Sequence, residues 1–226
     1  MIPRKVRSFV RRDGRMTAAQ EYAFTHHMAS FGLPKALLNF HEVFARVAPT
    51  IIEIGFGAGA SLFEVAKANP SNNFIGMETH KPGVGQLLQN IASAELTNLR
   101  IYYGDAVEAL QEYVMNESVD TFQIFFPDPW PKRRHHKRRI IQPEFVELLG
   151  LKLKPGGTLH LATDWEEYAK HMMEVLSSSA GFSDAFGADS FAERSVQRPI
   201  VTKFEKRGVD EGRQIWELRF VKNPQL

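Results

Sequence analysis

At 226 residues, 43% apolar and 24% charged, the chain suits a single α/β domain with small additions and is long enough to bury a sizeable core. It has no cysteine, which excludes disulfides, thiol nucleophiles and cysteine-ligated metals, and no apolar run approaches the roughly 18 residues of a membrane-spanning helix. The net charge of +2 conceals a separation: residues 132–139 carry +6 and residues 1–15 carry +5, leaving −9 for the rest, a distribution that suits a polyanionic partner.

The opening MIPRKVRSFVRR lacks the apolar core of a signal peptide and has too little hydrophobic periodicity for a transit peptide, so a cytoplasmic location is expected. Residues 1–16 read as an extended basic arm. Thr17 and Gln20 form a capping box for a helix through about Phe31, and residues 35–47 read as a second amphipathic helix stopped near Pro49. From residue 50 a strand–helix rhythm begins. Strands are expected at Thr50–Gly55, Asn73–Glu78, Leu99–Tyr103, Val119–Phe126 and Thr158–Ala162. Helices are expected at Ala60–Ala68, 82–94, Ala106–Val114, from Pro143, and after Asp164 and Glu167, which fit a capping box. Residues 127–142 form a long polar loop. Gln214–Val221 alternates in polarity and suits an antiparallel strand at the end of the sheet. The near-continuous apolar strands imply an α/β fold with a mostly parallel sheet covered on both faces. The chain divides into a leading segment, 1–49, and an α/β unit, 50–226.

In such sheets ligands sit beyond the carboxyl ends of the strands, where strand order reverses. The residues there are Glu53-Ile-Gly55-Phe-Gly57, Glu78-Thr79, Gly104-Asp105-Ala106, Pro127-Asp128-Pro129-Trp130 and Thr163-Asp164-Trp165. Gly55, Gly57 and Ala60 satisfy the dinucleotide pattern GxGxx(G/A), with Glu78 about 20 residues on. Two acids favour S-adenosylmethionine instead. Glu53, inside the first strand, suits an ammonium and would repel a pyrophosphate. Asp105 suits an adenine amino group, while Glu78 suits the ribose hydroxyls. Three acids around a cationic ligand are electrostatically consistent.

Phe125–Arg139, FFPDPWPKRRHHKRR, carries the most information. Asp128 lies between two prolines that restrict its backbone, and Trp130 offers a face for stacking. An acceptor and an aromatic on a stiffened loop suit a nucleobase drawn out of its stack. The following Lys132, Arg134, His135, His136, Lys137, Arg138 and Arg139 suit phosphates. On sequence alone Asp164-x-x-Glu167 and Thr202-x-x-Glu205 read first as helix caps. His26-His27 and His135-His136 are adjacent pairs without metal-ligand spacing, so no metal site is expected.

ExGxG at Glu53–Gly57, Asp105, FFPDPWPK, the basic run, Thr163-Asp164 and Thr202-Lys203-Phe204-Glu205 together resemble bacterial tRNA (guanine-N7)-methyltransferases of the TrmB type. RSFVRRDGR also resembles that family's arm. The resemblance implies a class I S-adenosylmethionine-dependent methyltransferase fold, Rossmann-like, with a seven-stranded sheet and an antiparallel last strand. It makes 50–226 the methyltransferase domain. It implies methylation at N7 of a guanine in the tRNA variable loop, with S-adenosylmethionine held by Glu53, Glu78, Asp105 and Asp128. It gives RNA-facing roles to Lys132, the 134–139 segment, Asp164, Thr202, Lys203, Phe204 and Glu205. A monomer or homodimer with no obligate protein partner is expected. Three other readings remain: methylation of an exocyclic amine, for which PDPW lacks the second adjacent proline; a non-catalytic RNA-binding protein on the same scaffold; and a nicotinamide dehydrogenase.

Overall fold

The computed structural model describes residues 14–187, 190–192 and 203–224, without the side chains of 203 and 204. The arm up to residue 13 and Thr202 lie outside the described residues. The leading helix α1 (Ala18–Phe31) starts as its sequence dictates: Thr17 Oγ1 accepts from Gln20 N at 3.2 Å, and Gln20 Oε1 accepts from Thr17 N at 3.0 Å.

The expected helix over 35–47 is not formed. Only α2 (Phe40–Phe44) is helical; Asn39 caps it by accepting from His41 N, and Ala45 ends it at φ 52°. The residues before it are drawn into backbone pairing with the sheet layer instead. Leu33 N donates to Ile101 O at 2.8 Å and Leu38 N to Tyr113 O at 2.7 Å. Phe40 and Phe44 are thereby buried without a longer helix.

The remaining elements are β1 (Thr50–Ile54), α3 (Ala60–Ala68), β2 (Asn73–Glu78), α4 (Lys81–Ser93), β3 (Leu99–Tyr103), α5 (Ala106–Glu112), β4 (Val119–Phe125), a 3-10 helix (Arg133–Arg138), α6 (Pro143–Lys152), β5 (Leu153–Thr163), α7 (Glu166–Ser177), β6 (Phe182–Asp184), α8 (Lys203–Asp210) and β7 (Trp216–Lys222). The sheet has seven strands in the order β3-β2-β1-β4-β5-β7-β6. The first five pair in parallel; β7 runs antiparallel to both β5 and β6. The three-residue β6 carries too little pattern to be read from sequence.

Alternate residues of the strands feed two apolar layers, as the pleat requires. Ile51, Phe74, Leu99 and Ile101 pack with α3 and α4, whereas Ile52, Ile54, Ile75 and Met77 face the layer that holds α5, α6 and α7. On α4, Val84, Leu87, Leu88 and Ile91 recur at helical spacing and all are fully buried. Each such side chain contributes roughly 1.5–3 kcal/mol on leaving water. Its opposite face meets α1 closely enough that a Cβ on Gly85 would lie 2.6 Å from Gln20 O.

Strand order reverses between β1 and β4, where β2 and β3 lie to one side and β5 to the other. That switch point places the carboxyl ends of β1–β4 around one crevice. Among the described residues no helix is long and apolar enough to cross a membrane.

Candidate active site

A cavity of ≈ 430 Å³ opens at this crevice. Its wall is built from the strand ends in turn: Gly55 and Gly57 after β1, Glu78 and Thr79 after β2, Asp105 and Ala106 after β3, and Phe126, Pro127 and Asp128 after β4. Of the expected ligand-holding residues, only Glu53 is absent from this wall. It is buried within β1, 5% exposed, one position behind the lining residue Ile54.

Glu78 organises the cradle. Its Oε2 accepts from Gly57 N at 2.9 Å, and its Oε1 accepts from Thr79 N at 2.6 Å and His80 N at 2.9 Å. The glycine loop is shaped for close approach. Gly55 and Gly57 have φ of 79° and 60°, and a Cβ on Gly83 of α4 would stand 1.9 Å from Gly57 O. Asp105 caps α5, with Oδ1 accepting from Val107 N at 2.9 Å, and it lines the cavity.

The loop after β4 is held in an uncommon shape. Phe126 has φ 51° and Trp130 φ 46°, so left-handed residues stand on both sides of Pro127-Asp128-Pro129. Phe126 N donates to Ala162 O at 2.8 Å, which fixes the entry to the loop on β5. Asp128 is exposed on the cavity rim.

The basic run is close by, as a 3-10 helix rather than an open loop. Its guanidinium Arg138 lies 4.1 Å from the centre of the Trp130 ring, and His135 meets that ring edge-on at 5.8 Å. The face of Trp130 expected to receive a base is therefore already covered by a cation on one side. Partial burial and the surrounding Arg134, Arg138, Lys132 and Lys137 push the His135 pKa below its usual value. Lys132, Arg134 and Lys137 are exposed.

Arg139 differs from the expectation for the run. It is 3% exposed, donates from Nε to Pro129 O at 2.9 Å, sits 4.9 Å over the Tyr168 ring and pairs with Glu167 at 3.5 Å. Its side chain turns inward and ties the β4 loop to α7. Nothing in an unbroken basic run marks which cation does this.

The expected cap of α7 also differs. Trp165 occupies the N-cap position with no side-chain hydrogen bond, and Asp164 instead accepts from Arg213 at 2.7 Å. Glu167 is engaged by His136 and Arg139. Glu205 is buried on α8, and Gly208 of the same helix packs against Asp164. The roles expected of Thr202 and of the Lys203 and Phe204 side chains lie outside the described residues.

Two residues that the sequence reading did not single out belong to the surroundings of the site. His160 of β5 and Glu217 of β7 form a buried pair at 2.5 Å, and His160 also meets Phe125 edge-on at 4.9 Å. Their sequence separation of 57 leaves no local signal.

The 3-2-1-4-5-7-6 sheet, with an antiparallel β7 and a glycine-and-acid cradle at its switch point, is that of the class I S-adenosylmethionine-dependent methyltransferases. Solved structures share the architecture. The 16S rRNA methyltransferase KamB aligns at a TM-score of 0.60 with 16% identity, covering 82% of this chain and 93% of that one. The antibiotic-resistance methyltransferase Kmr aligns at 0.56 with 16% identity, covering 87% and 99%. A family described as putative methyltransferases matches residues 47–218. The tRNA (guanine-N(7)-)-methyltransferase of Shewanella amazonensis is 52% identical over 220 residues, 96% of this chain and 92% of that one. Its counterpart from Alcanivorax borkumensis is 51% identical over 223 residues, 98% and 93%. The chain belongs to the tRNA (guanine-N7)-methyltransferase family and is an S-adenosylmethionine-dependent enzyme.

Proposed function

We propose that this chain transfers a methyl group from S-adenosylmethionine to N7 of a guanine in the variable loop of tRNA, forming 7-methylguanosine and S-adenosylhomocysteine. The observation that carries the reading is the position of Asp128. It stands on the rim of the cavity that Glu78 and Asp105 line, on a loop fixed by left-handed residues, with the basic segment directly against that loop.

The residues present fit the methyl donor. The tight glycine loop admits a ligand close to the backbone, and acids at successive strand ends suit a cation. Gly55, Gly57, Glu78, Thr79, Asp105 and Ala106 would hold it, with Asp128 at the reacting end. Glu53 lies behind the wall, buried within β1 next to the glycine loop. When bound, S-adenosylmethionine supplies a sulfonium methyl whose transfer to N7 leaves the positive charge on the purine.

Guanine N7 has an in-plane lone pair and no proton, so no general base is needed. The protein's part is positioning and electrostatics. Asp128, a carboxylate beside the purine, stabilises the positive charge that develops there. Asp164, at the carboxyl end of β5, faces the substrate guanine. Its N1–H and 2-amino donors distinguish it from adenine. Lys132, Arg134, His136, Lys137 and Arg138 meet the phosphates. His135 remains neutral near pH 7 and serves as a hydrogen-bond partner. Arg139 holds the loop.

The test is incubation of bulk unmodified tRNA with labelled methyl donor, followed by nucleoside analysis. Label is expected in 7-methylguanosine. Label in an N-methylated exocyclic amine, or none with donor binding intact by calorimetry, would sink the reading.

A further inference from the structure

The carboxyl end of β5 carries an ion pair whose arginine, Arg213, the activity above leaves without a role. Asp164 follows β5 directly, beside the end of β4 where Phe125 pairs with Ala162. Its Oδ2 accepts from Arg213 Nη1 at 2.7 Å, and both side chains are largely shielded, 17% and 29% exposed. Among the described residues Oδ1 takes no hydrogen bond. Arg213 is itself held. Its Nη2 pairs with Glu211, whose Oε1 accepts from Arg207 Nε at 2.8 Å, and its backbone N donates to Gly208 O at 2.8 Å. Gly208 lies so near Asp164 that a Cβ there would stand 2.9 Å from Asp164 Cβ and Oδ2. A planar guanidinium gripped on both sides can hold a carboxylate in one orientation, which a flexible ammonium does less well.

We propose that Arg213 is a positioning residue that aims the Asp164 carboxylate at the Watson–Crick edge of the guanine and so sets preference for a purine with a 2-amino group. The inference rests on the substrate-facing reading of Asp164 given above. With Arg213 on one lone pair of Oδ2, the unused Oδ1 and the remaining lone pair of Oδ2 accept side by side from N1–H and the 2-amino group. Hypoxanthine keeps N7 and N1–H but lacks the amino group, so it leaves one acceptor of a shielded carboxylate unmatched. A residue that merely staples α8 to the sheet would affect both bases alike.

The experiment compares tRNA carrying guanosine with tRNA carrying inosine at the accepting position. It measures kcat and KM for the unchanged enzyme and for R213Q, R213K, D164N and the D164N/R213Q pair. The unchanged enzyme is expected to prefer guanosine on the order of tenfold, the worth of one charge-assisted hydrogen bond. R213Q is expected to lower kcat more than it raises KM and to bring the preference close to one. R213K should restore part of both, and adding R213Q to D164N should cost nothing further, because the two act through one contact. Retention of the unchanged preference by R213Q, strictly additive losses in the pair, or an unchanged enzyme that does not distinguish the two bases would each overturn the proposal. If guanosine tRNA itself yields no 7-methylguanosine, the assignment of the reaction fails, and that outcome is separate from any result with Arg213.

Discussion

Glu78 Oε2 accepts a hydrogen bond from Gly57 N at 2.9 Å, so the acid at the end of β2 fixes the glycine loop at the end of β1. One carboxylate thus shapes the cradle and offers acceptors to what lies in it. Glu78→Ala is expected to weaken S-adenosylmethionine binding about 10- to 100-fold, since it removes charge-assisted bonds worth roughly 1.5–3 kcal/mol. Calorimetric titration with the donor checks this; unchanged affinity would remove Glu78 from the cradle.

Gly83→Ala should be costly even though alanine favours helices. The added Cβ would stand 1.9 Å from Gly57 O, a backbone atom that cannot swing aside. A loss of about 1–3 kcal/mol is expected from overpacking of this kind, seen as a lower Tm, together with weaker donor binding because Gly57 must shift.

Asp128→Ala should lower turnover on the order of 100-fold, the scale for loss of one transition-state electrostatic contact. Affinity for tRNA should change far less. Single-turnover rates against filter-binding affinities separate the two, and an unchanged rate would exclude Asp128 from the chemistry.

The basic segment should divide by burial. Replacing Arg134, Lys137 and Lys132 by Gln should raise KM for tRNA and flatten the log–log salt dependence by roughly 2 to 3, given about one counterion per phosphate contact. Arg139→Gln should leave the salt slope alone. It should lower Tm and kcat instead, because the guanidinium holds Pro129 O and lies over Tyr168.

His171 supplies a pH signature. Burial pushes its pKa below the ordinary histidine value, and Nε2–H of the neutral ring donates to Ile141 O at 2.9 Å. The unfolded chain binds this proton more readily, so stability rises with pH through this range. The contribution is present above about pH 6.5 and is lost as pH falls through the lower folded value. His171→Gln should flatten the dependence of Tm on pH below 6.5; an unaltered acid limb would exclude this residue as its source.

Local chemistry accounts for what the sequence made legible. The bounds of α3, β2 and β3 follow from apolar runs punctuated by Asn69-Pro70, Thr79 and Gly104-Asp105, signals that neighbours in the chain supply. The acids at the strand ends follow from the same rhythm, which is why Glu78, Asp105 and Asp128 could be placed on one crevice. What stayed hidden depends on distant partners. Leu38 leaves the helical state because Tyr113 O accepts from its backbone. Asp164 caps nothing because Arg213, 49 residues on, takes its carboxylate. Arg139 turns inward because Pro129 O and Tyr168 make a place for it. Glu53, read as suited to the ammonium of the ligand, lies buried within β1, one position behind the cavity wall.

The placement of β7 bears on how the molecule comes into being. It is last of the seven strands in chain order yet lies between β5 and β6, and it supplies Glu217 to His160. Until the ribosome has delivered residues 216–222, the edge of β5 that pairs with β7 carries amides and carbonyls without their partner strand. Nascent chains stalled before that point therefore present a sticky template to one another, and quality control, not catalysis, is where a late nonsense codon would first be felt.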